Sequence, residues 1–211
     1  MDPIWLNFAS FLAVYVFAIV SPGPNFILVV NSALSGSRRT GLLTALGVAT
    51  GSGLFGLAGL LGLIVLVQSL PNFAVLSRLV GGGYLAWLGI GMVRQSRSGN
   101  GAVGGRKPAT VQTDSALRAW RTGLLTNLTN PKAWGFYIAL FTVVITPGFL
   151  LWHKVLLNLT MFFISLFWYA FVAAMISSPR FRPTFQKVQP IVQLILGLLL
   201  IVLGGRMFIP G

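Results

Sequence analysis

Ser21-Pro22-Gly23-Pro24-Asn25 and, in the second half of the chain, Asn130-Pro131-Lys132 each interrupt a long apolar stretch. Proline has no backbone N–H and clashes with the preceding turn, so each motif breaks or bends a helix. Lipid supplies no water to satisfy the freed backbone groups. A broken helix is tolerated at membrane depth only where protein or a wet cavity surrounds it. One such break in each half of a membrane chain points to a solute path between them.

The composition places these breaks in a membrane. Hydrophobic residues make up 55% of the 211 residues and charged residues 8%, against roughly 25% charged in a soluble domain. Runs without Asp, Glu, Lys or Arg cover 3–37, 40–77, 79–93, 133–153, 155–179 and 188–205. A spanning helix needs about 20 apolar residues. The pattern predicts an all-α membrane protein with six transmembrane helices over 4–33, 41–68, 72–93, 118–146, 152–176 and 189–208. Asp2 is the only charge before Arg38, so the first stretch lacks the basic start of a secretory signal and reads as a retained helix.

The net charge of +13 is a topology signal rather than a nucleic-acid footprint. Arg38, Arg39, Arg94, Arg97, Arg106, Lys107, Arg118, Arg121, Arg180, Arg182 and Lys187 fall on one side of the six-helix arrangement, eleven of the 15 basic residues. By the positive-inside rule that side is cytoplasmic and both termini lie outside, in the periplasm if the membrane is a bacterial inner membrane. The surplus also matches anionic lipid headgroups. Membrane lipid is therefore an expected partner and nucleic acid is not.

The stretch 95–115 is polar and glycine-rich, the composition of a flexible linker. It divides the chain into a first three-helix repeat (1–94), a cytoplasmic linker (95–117) and a second three-helix repeat (118–211). Three is odd, so the second half enters the membrane inverted. Gly82, Leu88, Gly89 and Met92 recur as Gly197, Leu203, Gly204 and Met207 at a constant offset of 115, in the helices that close each half. A hexapeptide, Arg-Thr-Gly-Leu-Leu-Thr, occurs at 39–44 and at 121–126; it reads as a shared way of entering the membrane from the basic side. Helix two carries glycines three or four apart, as at Gly47 and Gly51, which let backbones approach closely in lipid. Such faces would permit a homodimer.

The candidate binding residues are Ser21, Pro22, Gly23, Pro24, Asn25, Asn130, Pro131 and Lys132. Gly23 permits unusual dihedrals, and Pro24 suits the first turn of a restarting helix, whose N–H groups favour an anion. Pro131 holds Asn130 out of the helical region, and Asn130 can cap the restart. Asn127 and Thr129 add polar groups nearby. Lys132 lies 14 residues past Arg118, near 20 Å along a helix at roughly 1.5 Å per residue. An ionisable group at that depth usually serves function, here as a fixed positive charge toward an anionic group or an occluded site. The alternative is a side chain that snorkels to the headgroups. Trp87, Trp134, Trp168, Tyr84, Tyr137 and Tyr169 either pack between helices, the commoner role, or line a cavity. His153 beside Lys154 reads as an interfacial residue.

Other chemistries lack their residues. The only acids are Asp2 and Asp114, and there is no cysteine. No proton relay through a buried carboxylate, metal-ligand cluster, Walker motif or dinucleotide fingerprint is available. No cofactor, bound metal or enzymatic site is expected.

Taken together, the Ser21-Pro22-Gly23-Pro24 motif, the glycine-rich second helix, Gly83-Tyr84-Leu85-Ala86-Trp87-Leu88-Gly89 and Asn130-Pro131-Lys132 resemble the LysE/RhtB family of amino-acid exporters, in order and over nearly the whole chain. The resemblance implies a six-helix bacterial inner-membrane protein that exports amino acids or close derivatives, driven by the proton motive force. Some members carry an acidic residue early in helix two; 42–50 has none here. That departure argues against a basic amino acid as substrate and leaves no obvious proton carrier. The expected function is secondary active export of a neutral or weakly polar amino acid by alternating access around helices one and four. A passive pore, a metal exporter and a non-transporting scaffold are the alternatives.

Overall fold

The computed structural model describes residues 3–35, 37–59, 73–97, 115–144 and 150–208. Its described elements are helices: α1 (Pro3–Val20), α2 (Pro24–Ser35), α3 (Arg38–Ala58), α4 (Phe73–Arg97), α5 (Ala116–Thr129), α6 (Pro131–Val144), α7 (Leu151–Ser177) and α8 (Arg182–Arg206). They fall on the six apolar stretches, because the first and fourth stretches are each cut in two at their proline motif. Among the described residues, α3, α7 and most of α8 are long and apolar enough to cross a membrane. The bent pair Ile4–Val20 and Pro24–Leu34, which meet at 53°, makes a fourth candidate span.

Several edges differ from expectation. Ser37 accepts a hydrogen bond from the Thr40 amide at 3.1 Å, which starts α3 before the basic pair rather than after it. α8 begins at Arg182, with Pro183 in its first turn and Pro190 inside it. Apolar content marked only its later part. α4 runs on to Arg97 and α5 starts at Ala116, so helices take up both edges of the expected linker. Residues 98–114 of that linker lie outside the described residues, as do 60–68 of helix two, residue 72 of helix three and 145–146 of helix four.

Two apolar cores hold the bundle. One joins Phe11 and Tyr15 of α1 to Leu88 and Met92 of α4, Phe136 of α6, and Leu157 and Met161 of α7. The other joins Phe26, Val29 and Val30 of α2 to Val48 of α3 and Tyr169, Val172 and Ile176 of α7. The break at 21–23 is where the chain passes from one core to the other. Outward, Phe163, Phe167 and Phe171 of α7 and Ile191, Ile195, Leu198 and Val202 of α8 stand exposed, an apolar surface of the kind that a bilayer covers.

The closest helix crossings are made by glycine. α4 packs along α8 so tightly that a Cβ on Gly89 would lie 2.5 Å from the Gly197 carbonyl oxygen, and one on Gly197 would lie 2.8 Å from that of Gly89. One turn or two away the contact repeats: a Cβ on Gly82 would lie 2.8 Å from the Gly204 oxygen, and one on Gly204 would lie 2.6 Å from that of Gly82. α3 meets α5 the same way, Gly47 against the Trp120 carbonyl and Gly123 against that of Thr44. Without side chains, the backbones approach and gain dispersion contacts that lipid cannot match. Gly89→Val should force α4 from α8 at a cost of about 1–3 kcal/mol, read as a lowered unfolding temperature in detergent; an unchanged temperature would refute the tight crossing.

Candidate functional site

The two proline breaks face each other. Pro22 and Pro24 flank Gly23, and α2 restarts with the Ile27 amide donating to the Gly23 carbonyl at 2.9 Å. In an unbroken helix, Asn25 and Phe26 would donate to the carbonyls of Ser21 and Pro22. The break turns these two carbonyls away from the helix, and Lys132 answers them from α6. Its ammonium donates to the Ser21 carbonyl at 3.2 Å, the Ser21 hydroxyl at 2.6 Å and the Pro22 carbonyl at 3.1 Å. Three donors meet three acceptors at the negative end of the α1 dipole. Gly23 makes room: a Cβ there would lie 3.1 Å from the Lys132 Cδ.

The second break is shaped by Asn130. Its backbone is extended, at φ −76° and ψ 110°, as the following proline requires. Its side-chain oxygen accepts from the Lys132 amide at 3.0 Å and so caps α6. Its Nδ2 donates to Asn25 Oδ1 at 3.1 Å, which joins the two breaks directly. Tyr84 of α4 donates to the Lys132 carbonyl at 2.6 Å and braces the first turn of α6.

A cavity of about 40 Å³ lies at this junction. Ser21, Gly23, Asn25, Asn130 and Lys132 line it. Pro22 contributes its carbonyl from a buried position, while Pro24 and Pro131 sit on the exposed side and act only by starting helices. In this structure the partners of Lys132 are neutral dipoles. Both acids of the chain fall outside the described residues, so the described part of the site holds a cation without a carboxylate.

Residues beyond the eight complete the wall. Asn127, buried in α5, donates to the Val48 carbonyl at 2.6 Å and to Ser52 Oγ at 3.0 Å; Ser52 Oγ lies 3.2 Å from Ser165 Oγ. Asn127 Oδ1 is buried without a partner. Gly51 lets this happen, since a Cβ there would lie 2.9 Å from that of Asn127. Tyr137 and Tyr169 also line the cavity, and Tyr137 donates to Tyr15, at 3.4 Å, which donates to the Met161 carbonyl at 3.1 Å. Ser52 and Ser165 carried no signal in sequence beyond being hydroxyls in apolar runs. Trp87 and Trp134 point outward, 63% and 51% exposed, so they do not belong to this cavity. His153 is buried in the first turn of α7, where its Nδ1 accepts from the Leu150 amide at 3.2 Å.

The cavity has room for a few water molecules, at roughly 10–15 Å³ each, and none for an amino acid. Lys132, Asn25 and Asn130 line it and are hydrogen-bonded across or within the breaks. Separating the breaks would expose a cation, two carbonyls, the first-turn N–H groups of α2 and the Asn127 oxygen together, a set suited to a solute with both an anionic and a cationic end.

Comparison with known proteins shows the family. The LysE type translocator family model matches residues 16–211. An uncharacterized membrane protein of Escherichia coli K12, YahN, is 30% identical over 215 residues, covering 100% of this chain and 92% of that one. The threonine efflux protein of the same strain is 29% identical, over 86% of this chain and 87% of that protein. The leucine efflux protein of Klebsiella pneumoniae is 31% identical over 68% of each. No solved structure matches.

Asn130→Ala removes both the cap and the link to Asn25. It should cost about 1 kcal/mol or more for the cap alone, seen as a lower unfolding temperature. Asn130→Asp keeps the capping oxygen and should recover part of that loss. Equal temperatures for Asn130→Ala and the parent would refute the geometry.

Proposed function

The chain belongs to the LysE type translocator family, a family of transporters and not of enzymes, and from that premise we propose that it is a secondary active exporter of a neutral amino acid or close derivative. Its relatives are membrane proteins, among them threonine and leucine efflux proteins, and its apolar helices make it a multi-pass membrane protein. Amino-acid export in general follows from the family. The substrate range, the site and the mechanism are our reading.

One observation carries that reading: Lys132 of one break is bound to the carbonyls of the other beside a small cavity that both breaks line. The substrate carboxylate takes the ammonium of Lys132 and the first-turn N–H groups of α2 at Asn25 and Phe26, and the lysine leaves the Ser21 and Pro22 carbonyls. Those carbonyls and Asn127 Oδ1 then accept the substrate ammonium. Each end of the zwitterion replaces a partner within the junction, so binding and opening are coupled. Tyr137 and Tyr169 bound the space left for the substrate side chain. No buried carboxylate stands ready for a second ammonium, which fits neutral rather than basic substrates.

The two halves act as inverted three-helix repeats in a bacterial inner membrane, with both termini periplasmic, and rock against each other. The glycine contacts support this arrangement. The offset of 115 relates Gly82 to Gly197 and Gly89 to Gly204, and it exchanges the contact of Gly82 with Gly204 for that of Gly197 with Gly89, as a two-fold axis requires.

In proteoliposomes assayed with labelled threonine, leucine and a wider amino-acid panel, Lys132→Ala and Asn127→Leu should each lower flux at least tenfold, with protein amount and folding matched. Unchanged flux of every transported compound in both variants would sink the site. In cells, overproduction should raise resistance to a toxic analogue of the transported amino acid, and Lys132→Ala should abolish the gain; resistance that survives the substitution would refute the role of the lysine.

A further inference from the structure

A second cavity lies away from the breaks, between α7 and α8, with a volume of about 380 Å³. Its walls are apolar apart from a few groups of α7 and α8. Gln189 and Gln193, four residues apart on α8, share one helix face and line it. They are 8% and 0% exposed. Neither amide has a hydrogen-bond partner on its nitrogen or its oxygen, and the indole N–H of Trp168 on the opposite wall has none. Buried polar groups left unpaired are costly, and here three such donors belong to the walls of one space large enough for a ligand.

The mouth says where the occupant comes from. Phe171, Phe181 and Val188 line the cavity yet are 49%, 46% and 47% exposed. They continue the apolar outer faces that carry Phe163, Phe167 and Ile191. The opening is therefore lateral, toward the bilayer. The guanidinium of Arg180 stands 6.0 Å from the centre of the Phe181 ring, which puts a cation at the lip. A molecule that enters from the bilayer, lines apolar walls, accepts from amide and indole N–H groups and brings a negative charge to the surface is an anionic phospholipid.

We propose that this cavity binds one anionic diester phospholipid, with its ester carbonyls accepting from Gln189, Gln193 and Trp168, an acyl chain along the apolar walls and its phosphate toward Arg180. Val20 and Phe26, which bracket the first break, form the inner wall. A lipid seated there buttresses the junction of α1 and α2, so the protein is stabilised by it.

The test is lipid binding to the purified, delipidated protein, followed by native mass spectrometry and by unfolding temperature. The lipids are diester phosphatidylglycerol, its diether analogue, which lacks the ester carbonyls, and diester phosphatidylcholine. One phosphatidylglycerol per protomer is expected, with a raised unfolding temperature. Affinity should fall at least tenfold for the diether analogue and for the Gln189→Leu/Gln193→Leu variant, and severalfold for phosphatidylcholine. Trp168→Phe keeps the ring and removes one donor; it should weaken binding about threefold and serves if the double variant does not fold. Equal binding of diester and diether lipid, equal binding by parent and variants, or a dimer that excludes lipid would each overturn the proposal. Because nothing in the readout depends on flux, these results stand apart from the transport assays.

Discussion

A lysine ammonium holds the structure's central junction by pairing the carbonyls that a proline break turns out of their helix. Pro22, Gly23 and Pro24 free the carbonyls of Ser21 and Pro22, which in a membrane cannot turn to water. Each would cost about 1–3 kcal/mol if left unpaired. Lys132 satisfies both and adds the Ser21 hydroxyl. The arrangement serves the cation as well, because charge-assisted hydrogen bonds to carbonyls at the C-terminal end of a helix are among the stronger neutral partners it can find. Each break is thus the condition for the other. The lysine is tolerable because a helix has been opened in front of it, and the helix can open because a lysine is there.

In the proposed function, that mutual dependence also makes the junction reversible. The partners of Lys132 are dipoles, and an anion competes well against dipoles for a buried ammonium. Asn127 keeps one oxygen unused beside the cavity. A site that closes on itself with substitutes for the substrate's two charged ends can be reopened by those ends. The glycine crossings join the two halves, α4 against α8 and α3 against α5, at backbone distance; in the proposed rocking they are the pivots, and the proline junctions are the places where the main chain changes direction.

Much of this was legible in the residues. Charge-free runs marked the helices, because lipid excludes charges without regard to fold. Proline marked both breaks, and the asparagine before Pro131 marked its own cap, since these effects reach no further than a turn. The glycine spacing marked which helix faces approach closely. Other features were hidden. The true start of α8 lay in polar sequence that pattern reading assigns to a loop. That His153, next to Lys154, is buried and caps α7 was not readable from its neighbours. Ser52 and Ser165 are isolated hydroxyls until α3 and α7 bring them within 3.2 Å.

The sequence by itself determined a helical membrane protein with two interruptions at depth and a cation beside one of them, because composition and proline stereochemistry act locally. Only the tertiary structure decided that the cation of the second interruption closes the first, that Asn130 reaches Asn25, and that Asn127 is left with an open acceptor. A freed carbonyl requires a donor, but nothing in its own neighbourhood names which one; that choice belongs to helices more than a hundred residues apart, and packing alone brings them together.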